Sequence, residues 1–269
     1  MAIVKGPFQL SGSVSGVSFY TRRGSDQVIM RSKGGVSADK IKRLPQYKGF
    51  RSQQKEWSGC TKFASGVRLA LGGLHRLADY NISSVLNGMG NKLQKLDATT
   101  EKGQRPVRLS PLKQALEGFN LNRNYPFNGV LRVSAIAEIN REQLSATISI
   151  PRINTDIDLL NVQRLPFFRI IAVLGTASDM LYNAALNDYL PAVPGLHGAA
   201  AVTNSPWYSA NTIVDEHTLT AQMTEKQLAM VTDEVSLIVS IAVEFGMVGF
   251  TGEPVEEKYA GSGKVLKVV

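Results

Sequence analysis

Apolar Val, Ile, Phe and Tyr alternate loosely with Ser, Gly, Thr and Arg over residues 13–22 and 27–33, on either side of Arg23-Gly24-Ser25-Asp26. This alternation about turn-forming residues predicts a β-hairpin. In its first strand Val17 and Phe19 share one face, while Val14, Gly16, Ser18 and Tyr20 share the other. A face built from Gly and Ser leaves room for a second backbone. An isolated two-stranded hairpin is marginal in water, so this one is expected to dock, on its own domain or on a neighbouring subunit.

From about Lys48 the period changes to 3.6. Trp57, Cys60, Ala64, Val67, Leu71, Leu74 and Ala78 recur in steps of three and four, which predicts an amphipathic helix. After a break at Asp79-Tyr80-Asn81, Ile82, Val85, Met89, Leu93 and Leu96 continue the pattern. Gly59, Gly66 and Gly73 fall seven apart on one side of the first helix. Each costs about 1 kcal/mol relative to alanine, so three in register point to close approach by another backbone. Lys48, Arg51, Lys55, Lys62 and Arg76 lie mainly off the apolar stripe and read as a solvated face. Residues 99–109 read as a linker, followed by a short helix with Ser110 as N-cap, Pro111 in its first turn and Gly118 at its stop.

After Asn120 the pattern turns to β. Strands are predicted at Gly129–Ile139, Leu144–Ile153, Phe167–Thr176, Thr212–Met223 and Val235–Phe245, with one or two more from Gly249 to Val269. Leu144, Ala146, Ile148 and Ile150 alternate cleanly, whereas VSLIVSIAVEFG is nearly continuous, as a strand buried on both faces should be. The Ala-, Gly- and Pro-rich stretch Asn183–Ser209 is expected to be a long excursion that moves or meets a partner. The predicted fold class is therefore α+β: an N-terminal β-hairpin and long amphipathic helices, then a mainly antiparallel β-sandwich. The expected division is a basic Gly/Ser-rich arm (1–47), a helical region (48–120) and a β-sandwich-like domain (121–269).

Composition sharpens this picture in two ways. The 269 residues are 43% hydrophobic and 19% charged, as in a globular protein. The single cysteine, Cys60, excludes an intramolecular disulfide and fits a reducing compartment. There is no apolar run of signal-peptide or membrane-span length, so the expectation is a soluble cytoplasmic protein, with leaderless export or incorporation into a particle left open. The net charge of +8 is unevenly spread. Residues 1–110 hold nineteen Lys and Arg against six Asp and Glu, and residues 111–269 hold eleven against sixteen. This split fits a polyanionic partner, a match between the front of one copy and the back of another, or two solvated surfaces of opposite bias.

Catalytic patterns are sparse. His75, His197 and His217 have no metal-ligand spacing, and GSVSG at 12–16 places Val14 where a nucleophile elbow needs serine. GSGKV at 261–265 lacks the first glycine of a phosphate loop and the hydroxyl residue after Lys264. Asp156 and Asp158 read as a capped turn rather than a calcium loop. No cofactor or metal site is assigned. The clearest interaction signal is Arg22, Arg23, Arg31 and Lys33 on the hairpin, with Phe19 and Tyr20 interleaved and Lys40, Lys42 and Arg43 following in a loop. Cations beside aromatics on paired strands can track phosphates and stack bases.

GPFQLSGSVSGVSFYTRRGSDQVIMRSKGG, RSQQKEWSGCTKF, ALEGFNLNRNYPFNGVLRV, IPRIN and VSLIVSIAVEFG together span most of the chain. In these segments it resembles a family of uncharacterised Bacteroidota proteins, a domain of unknown function. The resemblance implies a lineage and a fold plan, and it carries over no catalytic residue. The expected function is a non-enzymatic structural subunit that self-associates through its N-terminal arm into a fibre-, virion- or surface-type assembly. The alternative is a nucleic-acid-binding accessory protein. In both, Phe19, Tyr20, Arg22, Arg23, Arg31, Lys33, Lys42 and Arg43 are the candidate contacts.

Overall fold

A computed structural model describes residues 2–4, 11–21, 27–32 and 35–269. The chain divides into two compact units, 1–51 and 52–269.

In the first unit, strands β1 (Ala2–Val4), β2 (Gly12–Val14), β3 (Val17–Thr21) and β4 (Val28–Ser32) form an antiparallel sheet in the order β1-β4-β3-β2. The predicted pairing across residues 22–26 is present as β3 against β4, from Thr21 opposite Val28 to Val17 opposite Ser32. The predicted first strand is really two. Ser15 and Gly16 take φ of +45° and +81°, the left-handed pair that a two-residue hairpin loop requires. That reversal puts Val14 opposite Val17. Val14 therefore joins the face of Val17 and Phe19, and not the face of Ser18 and Tyr20 that unbroken alternation predicts. Helix α1 (Ala38–Arg43) follows, with Ser37 as N-cap. Its C-terminal end is closed by Arg51, whose Nη1 donates to the Ile41 and Leu44 carbonyls at 2.7 and 2.9 Å.

The second unit holds most of α2 (Lys48–Ala70) and all of α3 (Ile82–Lys95). Its first strands are β5 (Ile136–Asn140), β6 (Ser145–Ile150), β7 (Ile153–Asn154) and β8 (Phe167–Ser178). Next come β9 (Met180–Asn183), β10 (Asp188–Pro191), β11 (Ala200–Asn204) and β12 (Tyr208–Ser209). Last are β13 (Ile213–Val214), β14 (His217–Gln222), β15 (Val235–Val248) and β16 (Pro254–Val268). The central sheet runs β11-β8-β15-β16, with β12 also on β8, and a second sheet runs β14-β6-β5; every pairing is antiparallel. On one face of the central sheet Ile171, Val173, Ile238 and Ala242 pack under Phe63, Val67, Leu71 and Leu86 of the helical layer. On the other, Ile170, Ala172, Leu237 and Val239 meet Ala146, Ile148, Ile150 and Leu219 of the second sheet. The result is a helix layer on an antiparallel sandwich, an α+β fold, and it explains why β8 and β15 carry apolar side chains on both faces.

The glycine register in α2 has a different meaning from the expected one. A Cβ on Gly59 would lie 2.8 Å from the Tyr189 ring, and one on Gly66 would strike the His197 imidazole. These two glycines admit side chains, not a backbone. Gly73 lies past the helix end, at φ +88°, where it opens the 3-10 turn Leu74–Leu77. The backbone approach occurs at Gly175 of β8, whose missing Cβ makes way for the Ala70 carbonyl.

Three further expectations change. Asn183–Ser209 is not an open excursion: it contains β10, β11 and β12, and it delivers the fully buried Tyr189 and the largely buried His197 to the glycines of α2. Gly129–Ile139 begins with the one-turn helix Phe127–Val130 and becomes strand only at Ile136. Ser110 does not cap its helix; its hydroxyl donates to Asp179 Oδ2 at 2.6 Å, while the Leu109 and Ser110 amides donate to Oδ1.

A buried polar network fastens the 99–109 linker to this core. Arg105 grips Glu56 with two bonds of 2.7 Å, and the Gly103 amide donates to the same carboxylate at 2.8 Å. Burial pushes the Glu56 carboxyl up, but these donors outweigh it and hold it below the usual range. Gln94 donates to the Arg105 carbonyl and accepts from the Cys60 thiol, so each group of the network is satisfied.

Candidate functional site

The described ones among the sequence-derived contact residues divide between the two faces of the N-terminal sheet and helix α1, the last where the sequence reads as a loop. Phe19 lies on the Val17 face of the N-terminal sheet, whereas Tyr20 and Arg31 share the opposite face: Tyr20 sits opposite Ile29 and Arg31 opposite Ser18. Lys42 and Arg43 are exposed on the last turn of α1. Arg22, Arg23 and Lys33 lie outside the described residues. Two surfaces result, an apolar one with Val14, Val17, Phe19 and Met30, and a mixed one with Ser13, Ser18, Tyr20, Arg31 and Ile29. The sheet also presents an edge. All three residues of β2 are exposed, and among the described residues β2 pairs with β3 alone. With a two-residue turn after Val14, ladder alternation directs the Val14 amide toward β3 and the Ser13 amide outward.

A second feature, missed by sequence reasoning, sits where β15 leaves the central sheet. Glu244 is 1% exposed and lies directly opposite Arg169 of β8. Arg169 donates to its Oε2 at 2.9 Å from Nε and 2.6 Å from Nη2, and Arg76 from the 3-10 turn Leu74–Leu77 donates to Oε1 at 2.8 Å. The guanidinium of Arg169 also stacks over Trp207 at 4.5 Å and reaches Glu256 at 3.5 Å. A buried carboxylate needs such partners, because desolvating it alone costs several kcal/mol (about). The signal was present in the sequence: a glutamate inside VSLIVSIAVEFG has no place in a doubly buried strand unless a cation meets it.

Beside Glu244 the register of β15 and β16 slips. Glu244 faces Gly261, but Gly246 already faces Glu256, so residues 257–260 bulge from β16 and Tyr259 takes φ +63°. A hollow of about 290 Å³ opens on the sandwich side of the bulge, lined by Tyr125, Val130, Leu160, Val162 and Tyr259, with Asp79 and Asn122 among its polar groups. A second one of about 530 Å³ lies over Arg76, Glu244 and Glu256. In neither does a nucleophile meet a base.

Beyond the bulge the hairpin projects. β8 ends opposite Gly246, so among the described residues Met247 and Val248 pair only with Val255 and Pro254. The Gly249 amide donates to the Glu253 carbonyl at 2.9 Å and closes the tip. Phe250 at its apex is fully exposed, and Met247, Val248 and Val255 are about half exposed.

The remaining candidate chemistry resolves into packing. Cys60 is fully buried, and burial, with Glu56 nearby, pushes its thiol up to about 11. His197 Nδ1 accepts from the Ser178 amide at 3.3 Å while Nε2 faces the Lys62 carbonyl at 3.1 Å, which assigns a neutral ring with the proton on Nε2. Asp156 and Asp158 belong to a one-turn helix: Asn154 accepts from the Asp156 amide, and Asp158 accepts from the Asn154 amide. Lys62 and Arg76, expected on a solvated face, remain partly exposed and also bridge to Asp188 at 2.6 Å and to Glu244. Among the described residues no group of three His, Cys, Asp or Glu could hold a metal ion, and no helix is long and apolar enough to cross a membrane.

Comparison with protein-family models, with curated proteins and with solved structures found no match to this chain.

Proposed function

We propose that this chain is a non-enzymatic structural subunit that self-associates through its N-terminal sheet. The observation that supports it best is the exposed β2 edge, Gly12-Ser13-Val14, which ends the sheet with nothing but β3 beside it among the described residues. Small side chains and an outward amide make such an edge a template for a strand of a neighbouring chain. The apolar face of Val14, Val17 and Phe19 adds surface that an association would cover. Head-to-tail addition of this kind closes into rings or continues as a filament.

The test is the molar mass of nuclease-treated protein by light scattering, at low and high salt, beside the Ser13→Pro variant. Proline removes the outward N–H and is tolerated on a sheet edge. A mass well above 29.2 kDa that falls toward the monomer in Ser13→Pro supports the reading. A wild-type chain that stays monomeric at both salt concentrations overturns it.

A second reading, an accessory protein that binds nucleic acid, is favoured by Tyr20 and Arg31 sharing one face of the sheet. It predicts binding to a single-stranded oligonucleotide that collapses steeply as salt rises. Salt-insensitive mass with no bound nucleic acid counts against it.

A further inference from the structure

The projecting β15–β16 tip poses its own question. A two-stranded ribbon is marginal by itself, yet this one extends past β8 with apolar side chains on both faces: Met247 with Val255 on one, Val248 with Pro254 on the other. Phe250 stands at the apex with no cover from its own unit. Solvent-facing apolar clusters of this kind mark an interaction site.

Charge selects the partner. Glu253, Glu256 and Glu257 surround the tip, with Lys258 the only basic residue between 247 and 259. Two tips meeting about a two-fold axis would set these glutamates against their own copies, so an isologous contact is disfavoured. An anionic lipid surface is disfavoured for the same reason. A partner must offer apolar surface framed by positive charge. Residues 1–51 hold ten Lys and Arg against two Asp and Glu, while residues 52–269 hold twenty of each sign. The excess charge of the chain therefore lies in the unit that also carries the apolar face of Val14, Val17, Phe19 and Met30.

We infer that the β15–β16 tip of one copy, with Phe250 at its apex, is the acceptor for the basic N-terminal unit of a second copy. The inference rests on the self-association proposed above and names its other half. The contact is heterologous: each chain gives an arm and receives one.

A charge-swap experiment on the full-length chain tests it. One variant carries Glu253→Lys, Glu256→Lys and Glu257→Lys; the other carries Arg31→Glu, Lys42→Glu and Arg43→Glu. Each alone is expected to remain near monomer mass in light scattering. Mixed one to one, they pair reversed arms with reversed tips and native arms with native tips, so assembly returns to the wild-type mass. A mixture that stays as small as its components overturns the inference. Phe250→Ser gives an independent reading, because a fully exposed side chain leaves the thermal midpoint unchanged. It is expected to weaken assembly at least tenfold in protein concentration. If Ser13→Pro dissolves the assembly and Phe250→Ser does not, the acceptor lies elsewhere and the inference fails while self-association stands. If the wild-type chain never assembles, both fall. Flotation of wild-type protein with zwitterionic vesicles, lost in Phe250→Ser, would assign the tip to lipid and also overturn it.

Discussion

The β8–β15 pair and the β3–β4 pair are both antiparallel ladders, and they are built to opposite ends. The first runs twelve residue pairs without interruption, and from Phe168 to Ser178 only Arg169 is not buried. The second runs five pairs, and Val28 is its single buried residue. Sequence composition separates them. FFRIIAVLGTAS and VSLIVSIAVEFG offer apolar groups on both faces, so they fold only as the middle of a three-layer stack. GSVSGVSFYT spaces its apolar groups among glycine and serine, so it cannot fill a core of its own. One ladder supplies stability, and the other is left with a face and an edge for something else.

The largest expected effect comes from the one ion pair within the stable ladder, Arg169 with Glu244. Arg169→Ala removes two of the bonds on Glu244 and leaves a carboxylate at 1% exposure with only Arg76 to meet it. Breaking a buried pair from one side costs about 3–5 kcal/mol. Urea denaturation should show a loss of that size, and a loss below about 1 kcal/mol would mean that water reaches Glu244. A matched pair of truncations comes next. Ile241→Ala deletes a side chain buried on β15 and should cost about 2–5 kcal/mol. Val14→Ala on β2, where the side chain is 67% exposed, should stay within about 0.5 kcal/mol. Equal costs at the two sites would show that the N-terminal sheet is folded into a core after all.

The ease with which these regions could be read from sequence follows the same division. The two long strands, the start of α3 after Asn81 and the buried row Leu144, Ala146, Ile148 and Ile150 are visible because burial imposes a period, whereas the helix expected to run on to Ala78 ends at Ala70. What escaped notice depends on contacts between distant residues. Gly59 and Gly66 announce that something enters α2, but only the tertiary fold says that it is Tyr189 and His197, some 130 residues away. Asn183–Ser209 reads as loop because Ala, Gly and Pro dominate it, yet its job is to carry those two rings inward. The Ser15-Gly16 turn lies inside a stretch that reads as one strand, and it reverses which face Val14 joins. The projecting tip is harder still: GMVGFTGEPVEE shows a turn and some apolar residues, but not that β8 stops at Phe167 and leaves them uncovered.

The smallest expected effect concerns one of those rings. Burial lowers the His197 pKa below the ordinary 6.5, and its bonds to the Lys62 carbonyl and the Ser178 amide do not compensate. Above pH 6.5 the ring is neutral in both folded and unfolded chains, so its contribution to stability is fully present. As pH falls below 6.5 the unfolded chain takes up a proton that the folded one refuses, and stability drops until the pH reaches the depressed folded value. Charging the ring would also turn Nδ1 into a donor facing the Ser178 N–H, which has only a hydrogen to present. Denaturation midpoints between pH 7.5 and 5.0 should therefore decline, and His197→Gln should flatten that decline. His75, exposed on the 3-10 turn Leu74–Leu77, is lowered in the same direction, by burial first and then by Arg68 and Arg76, so His75→Gln measures its share of the decline. If His75→Gln flattens the profile and His197→Gln leaves it steep, the acid sensitivity belongs to the turn that holds Arg76 over Glu244, and not to the ring seated on Gly66.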